Sequence, residues 1–106
     1  MKQQSVEFLE EIEADLRAAR AFYDSWLTNG GVLFHEKFRE TVSWIEWNPG
    51  LFPRRHRSFR LAVIRRSYYG IFFAIEPSVT TVVAVIDLRE SPAVIRSVLR
   101  YRTAVK

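Results

Sequence analysis

The chain has 106 residues, 48% of them apolar and 26% charged, with a formal net charge of +4 and no cysteine. That length supports one core and not two, so residues 1–106 are expected to form a single domain. The missing cysteines exclude disulfides and thiolate metal sites and fit a reducing cytosol. The opening "MKQQSVEFLEEIEADL" turns acidic within ten residues and has no continuous apolar run, so no signal peptide is expected. The longest apolar run, "VTTVVAVIDL", is about half of what a membrane-spanning helix needs. A cytoplasmic protein without a membrane partner is the expectation.

In chain order, "SVEFL" reads as a short edge strand. Residues 10–28 read as a helix, because Ile12, Leu16, Ala19, Tyr23 and Trp26 recur at three- and four-residue spacing. "TNGG" at 28–31 is expected to end it, since glycine tolerates the left-handed backbone that closes helices. A second helix over 32–47 carries an apolar stripe of Phe34, Phe38, Val42 and Ile45, and Asn48-Pro49-Gly50 stops it. Two helices joined this closely form an antiparallel hairpin.

After Pro53 the period changes to two. Strands are expected over 57–66, 69–76 and 79–89, rich in β-branched and aromatic residues, with Glu76-Pro77-Ser78 as a turn. Three strands with short connections make an antiparallel meander. "SPAVIRSVLRY" then reads as a short C-terminal helix capped by Ser91, with Pro92 in its first turn. The predicted class is α+β, with an N-terminal helical hairpin packed on one face of a small antiparallel sheet.

Charge is distributed unevenly. Up to residue 53 acidic residues outnumber basic ones, whereas from residue 54 onward ten arginines and Lys106 face only Glu76, Asp87 and Glu90. An arginine-rich half points to an anionic partner, nucleic acid or an acidic protein segment, because the planar guanidinium fork suits phosphate and carboxylate. The alternative is charge that serves solubility alone. Familiar catalytic patterns are absent. His35 and His56 stand in no metal-ligand spacing, Gly30-Gly31 is no phosphate loop, and Glu76 and Asp87 read as solvent-facing carboxylates at strand ends. No catalytic residue, metal or cofactor is expected.

The segment "FRLAVIRRSYYGIFFAIEPSVTTVVAVIDLRESP" resembles the sheet of the RelE/ParE toxin superfamily, in particular its ParE-like, plasmid-stabilisation branch. The matching residues are Arg60, then Arg66-Ser67-Tyr68-Tyr69-Gly70, then Ala84-Val85 through Arg89 to Pro92. "EADLRAARAFYDSW" resembles that family's first helix, and "FHEKFRETVSWIEWNPGLFP" its second with the Asn-Pro exit, so the likeness runs from about residue 6 to 100. The resemblance implies the toxin of a toxin–antitoxin system that inhibits DNA gyrase and forms a hetero-oligomer with a cognate antitoxin. Together with the strand-end positions of Arg65, Arg66 and Arg89, it points to a partner-binding role for Arg60, Arg65, Arg66, Tyr69 and Arg89. Two departures bear on this. Ser67-Tyr68 stands where the family has Phe-Pro, and the stretch Glu90 to Ile95 lacks the tyrosine or histidine of the ribosome-dependent messenger-RNA endonucleases. Such an endonuclease, or an inactive interaction module, remains as the alternative.

Geometry refines the arginine reading. Arg65, Arg66 and Arg89 fall at one end of the meander and are expected to cluster, with Arg60 a separate, more centrally paired group. Tyr69 alternates with Ile71 and Phe73 and is expected to cover the sheet.

Overall fold

In the computed structural model, which describes residues 5–104, the elements run in the predicted α+β order. They are β1 (Val6–Phe8), α1 (Glu11–Asp24), α2 (Gly30–Trp47), a 3-10 turn at Pro49–Leu51, β2 (Arg60–Val63), β3 (Tyr69–Ile75), β4 (Thr80–Asp87) and α3 (Pro92–Ala104). The sheet order is β1-β4-β3-β2. The three-strand meander is antiparallel as expected, while β1 joins β4 in parallel, with Val6 opposite Thr80 and Phe8 opposite Val82.

Each helix follows its stripe with one exception. Ile12, Leu16 and Ala19 of α1 and Phe34, Phe38 and Ile45 of α2 are buried together with Ala62, Ile64, Ile71 and Phe73 of the sheet. Trp26, assigned to the α1 stripe by spacing, is 75% exposed, because α1 ends at Asp24 and the chain has already left the helical track. The junction also departs from expectation. Asn29, with φ 62°, takes the left-handed position, and neither glycine has a positive φ. Gly30 and Gly31 instead begin α2 at a close helix–helix approach. A Cβ on Gly30 would lie 2.7 Å from the Tyr23 carbonyl carbon, and one on Gly31 would lie 2.9 Å from the Arg20 carbonyl oxygen.

Strand β2 is shorter than the expected 57–66. His56, Arg57 and Arg66 have left-handed backbones (φ 51°, 67° and 58°), which break the extended chain before and after it. Both faces of the sheet are covered. The hairpin covers one, and α3 covers the other through Ile95 and Leu99 against Leu61, Phe72, Ala84 and Ile86.

A bulge in β4 makes this two-sided burial consistent. Phe72 pairs with Ala84 and Phe73 with Val82, leaving Val83 as the extra residue. Side-chain parity therefore shifts. Val82 and Val85 face the hairpin, and Val83 and Ala84 face α3. Beyond β1, the outer edge of β4 is closed by an ion pair. The Asp15 carboxylate of α1 accepts the Val85 amide at 2.9 Å and both Arg102 nitrogens at 2.6 and 2.8 Å. Arg102 also donates to the Val83 carbonyl at 3.1 Å. Asp15 thereby holds the Arg102 guanidinium above its ordinary pKa. One carboxylate joins α1, the β4 edge and α3.

Candidate functional site

The Arg65–Tyr69 stretch forms the turn from β2 into β3. Ser67 staples it: its hydroxyl donates to the Ile64 carbonyl at 2.8 Å and accepts the Tyr69 amide at 3.0 Å. The Ile64 amide donates to the Tyr69 carbonyl at 2.9 Å, closing the hairpin. The Tyr68 amide reaches across to the Tyr23 hydroxyl of α1 at 2.9 Å. The turn is thus fastened to the helical hairpin.

Aromatic rings continue the attachment. Tyr23 stacks on Phe34 at 5.3 Å between centroids, and Tyr69 meets Phe34 edge-on at 5.4 Å. Tyr69 also packs against the buried cluster that holds Ile71 and Phe73. Burial and the nearby Asp87 carboxylate raise its phenol pKa, so at neutral pH it keeps its proton and offers a donor, not a base.

Strand ends decide where the arginines go. Val63 lies opposite Gly70 and Tyr69 opposite Asp87, so Arg65, Arg66 and Arg89 share one end of the sheet. Their side chains nevertheless attach to different groups. Arg65 pairs with Glu40 of α2 at 3.3 Å, and both groups are exposed. Arg66 lines a cavity of about 180 Å³ with Tyr23, Phe34 and Lys37. Arg89 clasps Asp87 through Nε at 3.0 Å and a terminal nitrogen at 2.7 Å, and its guanidinium lies 4.0 Å from the Tyr68 ring centroid and 5.2 Å from that of Phe22. The Arg89 hydrogen bonds hold the Asp87 carboxyl below its ordinary pKa. Arg60 stands apart, opposite Phe73, donating to the Phe52 carbonyl at 2.6 Å. Asp87 closes one end of the β3–β4 pair and Glu76 lies just past the other, so they form no carboxylate pair.

Exposed apolar side chains flank this end. Phe22 and Trp26 meet at 6.1 Å beside Tyr68, and Trp26 and Tyr68 are exposed. Trp44 and Trp47 of α2, Leu51 of the following turn and Val63 of β2 are each more than half exposed, and Trp44, Leu51, Val63 and Arg65 line one groove of about 400 Å³. Residues 53–55 cover the outer edge of β2 at positions 59–61, through the Arg54–Arg60 bridge and the Leu61 amide on the Pro53 carbonyl, and stop short of Val63. Chemically this surface offers an apolar groove, a free length of strand and a basic rim, all suited to a peptide partner.

His35 takes no part. Its Nδ1 accepts from Arg20 at 3.1 Å, and burial with that neighbouring charge lowers its pKa, which keeps the ring neutral. Among the described residues no group of three or more His, Cys, Asp or Glu side chains could hold a metal ion. No described helix is long and apolar enough to cross a membrane.

The fold has a solved counterpart. The chain is similar to one from the structure of the chromosomal ParDE TA system from P. aeruginosa, with a TM-score of 0.71 and 13% identity. The alignment covers 80% of this chain and 96% of that one. At this identity the likeness is one of fold. No family model matches the chain, and no curated protein does.

Sequence reasoning missed the Asp15–Arg102 pair and the Arg89–Tyr68 stacking. Asp15 and Arg102 are 87 residues apart, so no local pattern links them. Arg89 and Tyr68 come together only through the pairing of β3 with β4. Trp44 and Trp47 carried a usable signal, being large apolar side chains of α2 outside its stripe of Phe34, Phe38, Val42 and Ile45.

Proposed function

We propose that this chain is the toxin of a type II toxin–antitoxin system, a single domain over residues 1–106 that acts in the bacterial cytoplasm. The observation that carries the reading is the ParDE likeness over four-fifths of the chain, in agreement with the motif order from Arg60 through Tyr69 to Arg89. Its antitoxin is a small protein whose acidic, partly disordered segment orders on the toxin, laying apolar anchors along Trp44, Leu51 and Val63 and carboxylates near Arg65. A segment running past Val63 would extend the sheet from β2.

The cellular target in this reading is DNA gyrase, engaged by the basic and aromatic sheet end of Arg89, Tyr68 and Phe22. Phosphodiester cleavage needs a proton acceptor and a donor beside stabilised charge. At this end the imidazole is missing, the Tyr69 phenol is protonated, and Asp87 is committed to Arg89. Inhibition by binding therefore ranks above messenger-RNA cleavage.

Induction of the chain alone in a bacterium tests the proposal. Growth should arrest, and co-expression of the neighbouring short antitoxin gene should restore it. Purified protein should inhibit gyrase supercoiling or trap cleaved DNA, with messenger RNA intact early in the arrest. Normal growth at confirmed soluble expression would favour an inactive interaction module. Ribosome-dependent cleavage with gyrase unaffected would favour the endonuclease.

A further inference from the structure

Among the arginines of the basic half without an ion pair among the described residues, Arg57, Arg96 and Arg100 gather on the α3 face of the sheet, while Arg66 lines the cavity beside the helical hairpin. Arg65, Arg89 and Arg102 are each paired with a carboxylate, and Arg60 is spent on a carbonyl. Arg57, Arg96 and Arg100 have no ion pair among the described residues, and all three line one cavity of about 220 Å³ between α3 and the 55–59 turn. His56 joins them at the rim, with Phe59 and Leu99 as apolar lining and no acidic residue present.

Two features oppose this arrangement on stability grounds alone. Arg96 and Arg100 are one helical turn apart and repel, and the α3 sequence "PAVIRSVLRYRTA" has no acidic residue to separate them. The turn holds two consecutive non-glycine residues in the left-handed region, His56 and Arg57, closed by the Arg55 amide on the Phe59 carbonyl at 2.6 Å. Turns of this shape favour asparagine and glycine, and strain kept at such positions marks functional sites.

We propose that this cavity binds a nucleotide, with its phosphate held by Arg57, Arg96 and Arg100 and its base against Phe59. Three guanidinium forks exceed what a single carboxylate would neutralise, whereas a phosphomonoester carries close to two negative charges and three acceptor oxygens. The volume lies below that of sites for drug-sized ligands, so the cavity admits one phosphate and part of one flat group, not a length of peptide. An aromatic side chain under a base adds stacking without demanding a particular base. The site lies on the opposite face of the sheet from the helical hairpin and does not depend on the toxin reading.

Titration of the full chain with adenosine 5′-monophosphate, followed by amide chemical shifts, tests the site. Saturable shifts at 55–59 and 96–103 are expected, with adenosine and inorganic phosphate each binding about tenfold or more weakly. A five-nucleotide single strand carrying a 5′-phosphate separates the sources. Tighter binding of the strand assigns a nucleic-acid end, and weaker binding assigns the free nucleotide. Arg96→Gln and Arg100→Gln should each weaken binding about tenfold or more, the loss expected for one charge-assisted hydrogen bond, with melting unchanged. Arg17→Gln, on the exposed face of α1, should leave binding as it is. Arg57→Gly should weaken binding while raising the melting temperature, because glycine relieves the left-handed backbone. The proposal is overturned if the monophosphate fails to saturate, binds no better than inorganic phosphate, keeps its affinity in both glutamine variants, or is displaced from these residues by an acidic peptide of higher affinity.

Discussion

Replacing Asp15 by alanine removes three hydrogen-bond acceptor contacts at once. The Val85 amide loses its partner, and the Arg102 guanidinium loses both nitrogen contacts to the carboxylate. The two side chains are only 12% and 15% exposed, so solvent compensates little. Breaking a buried pair by deleting one member costs about 3 to 5 kcal/mol. Residual exposure, and the Val83 carbonyl that Arg102 retains, place Asp15→Ala at the low end, about 3 kcal/mol. For a domain of this size that corresponds to a fall in melting temperature of about 12 to 24 °C. Asp15→Asn keeps an acceptor for the Val85 amide and should cost less, about 1 to 2 kcal/mol. Urea denaturation of the two variants, of Arg102→Met and of Asp15→Ala/Arg102→Met gives the coupling directly, and the double variant should lose less than the sum of the singles. A fall below about 4 °C in Asp15→Ala, or strict additivity in the cycle, would refute the view that this pair fastens α3 to the sheet edge.

Acid should remove the contribution of the Asp87–Arg89 pair. Because Arg89 depresses the folded-state pKa of Asp87, that stability is fully present above the unfolded value of 3.8 and is lost as pH falls through the lower folded value. Solvent screening of the exposed Arg89 keeps the effect small, and melting curves from pH 7 to pH 3 should show a smaller acid loss in Asp87→Asn than in the parent. Gly30→Ala should destabilise by about 1 to 3 kcal/mol, since its methyl would meet the Tyr23 carbonyl group and push the hairpin apart. An unchanged urea midpoint would show that the helices adjust freely. Arg60→Ala should cost about 1.5 to 3 kcal/mol by orphaning the Phe52 carbonyl, while Arg65→Ala, at an exposed pair, should cost less than about 1 kcal/mol. Equal melting temperatures for these two variants would remove the distinction between them.

Local pattern accounts for what was legible in the sequence. The helical stripes of Ile12, Leu16 and Ala19 and of Phe34, Phe38 and Ile45 repeat within a few residues, as does the alternation of Tyr69, Ile71 and Phe73, and these elements stand where the pattern puts them. The same holds for the shared sheet end of Arg65, Arg66 and Arg89, which follows from counting strands. Other features are set by approach between distant segments. The glycine pair resembles a terminator in one dimension and a helix crossing in three. The β4 bulge shifts parity without altering composition, because "VVAV" reads as buried on either face. Arginine partners were invisible for the same reason. Glu40 lies 25 residues from Arg65, and nothing in either neighbourhood marks the other. The strained turn at His56 and Arg57 broke an apparent strand because backbone handedness leaves little trace in side-chain alternation.

The parallel pairing of β1 with β4, and the ion pair beside it, have a consequence for how the chain is made. Asp15 emerges from a ribosome early, but the Val85 amide follows 70 residues later and Arg102 another turn of synthesis after that, 87 residues behind Asp15. At about 5 to 20 residues per second the interval to Arg102 lasts roughly 4 to 17 s. During that interval the α1–α2 hairpin can form on local contacts, but its sheet-facing residues have no sheet to cover. Closure of the hairpin onto the sheet edge therefore waits until α3 has been made, and it is a long-range step. Any factor that recognises the uncovered hairpin has a window of seconds, renewed with every copy translated, in which to bind before the sheet does.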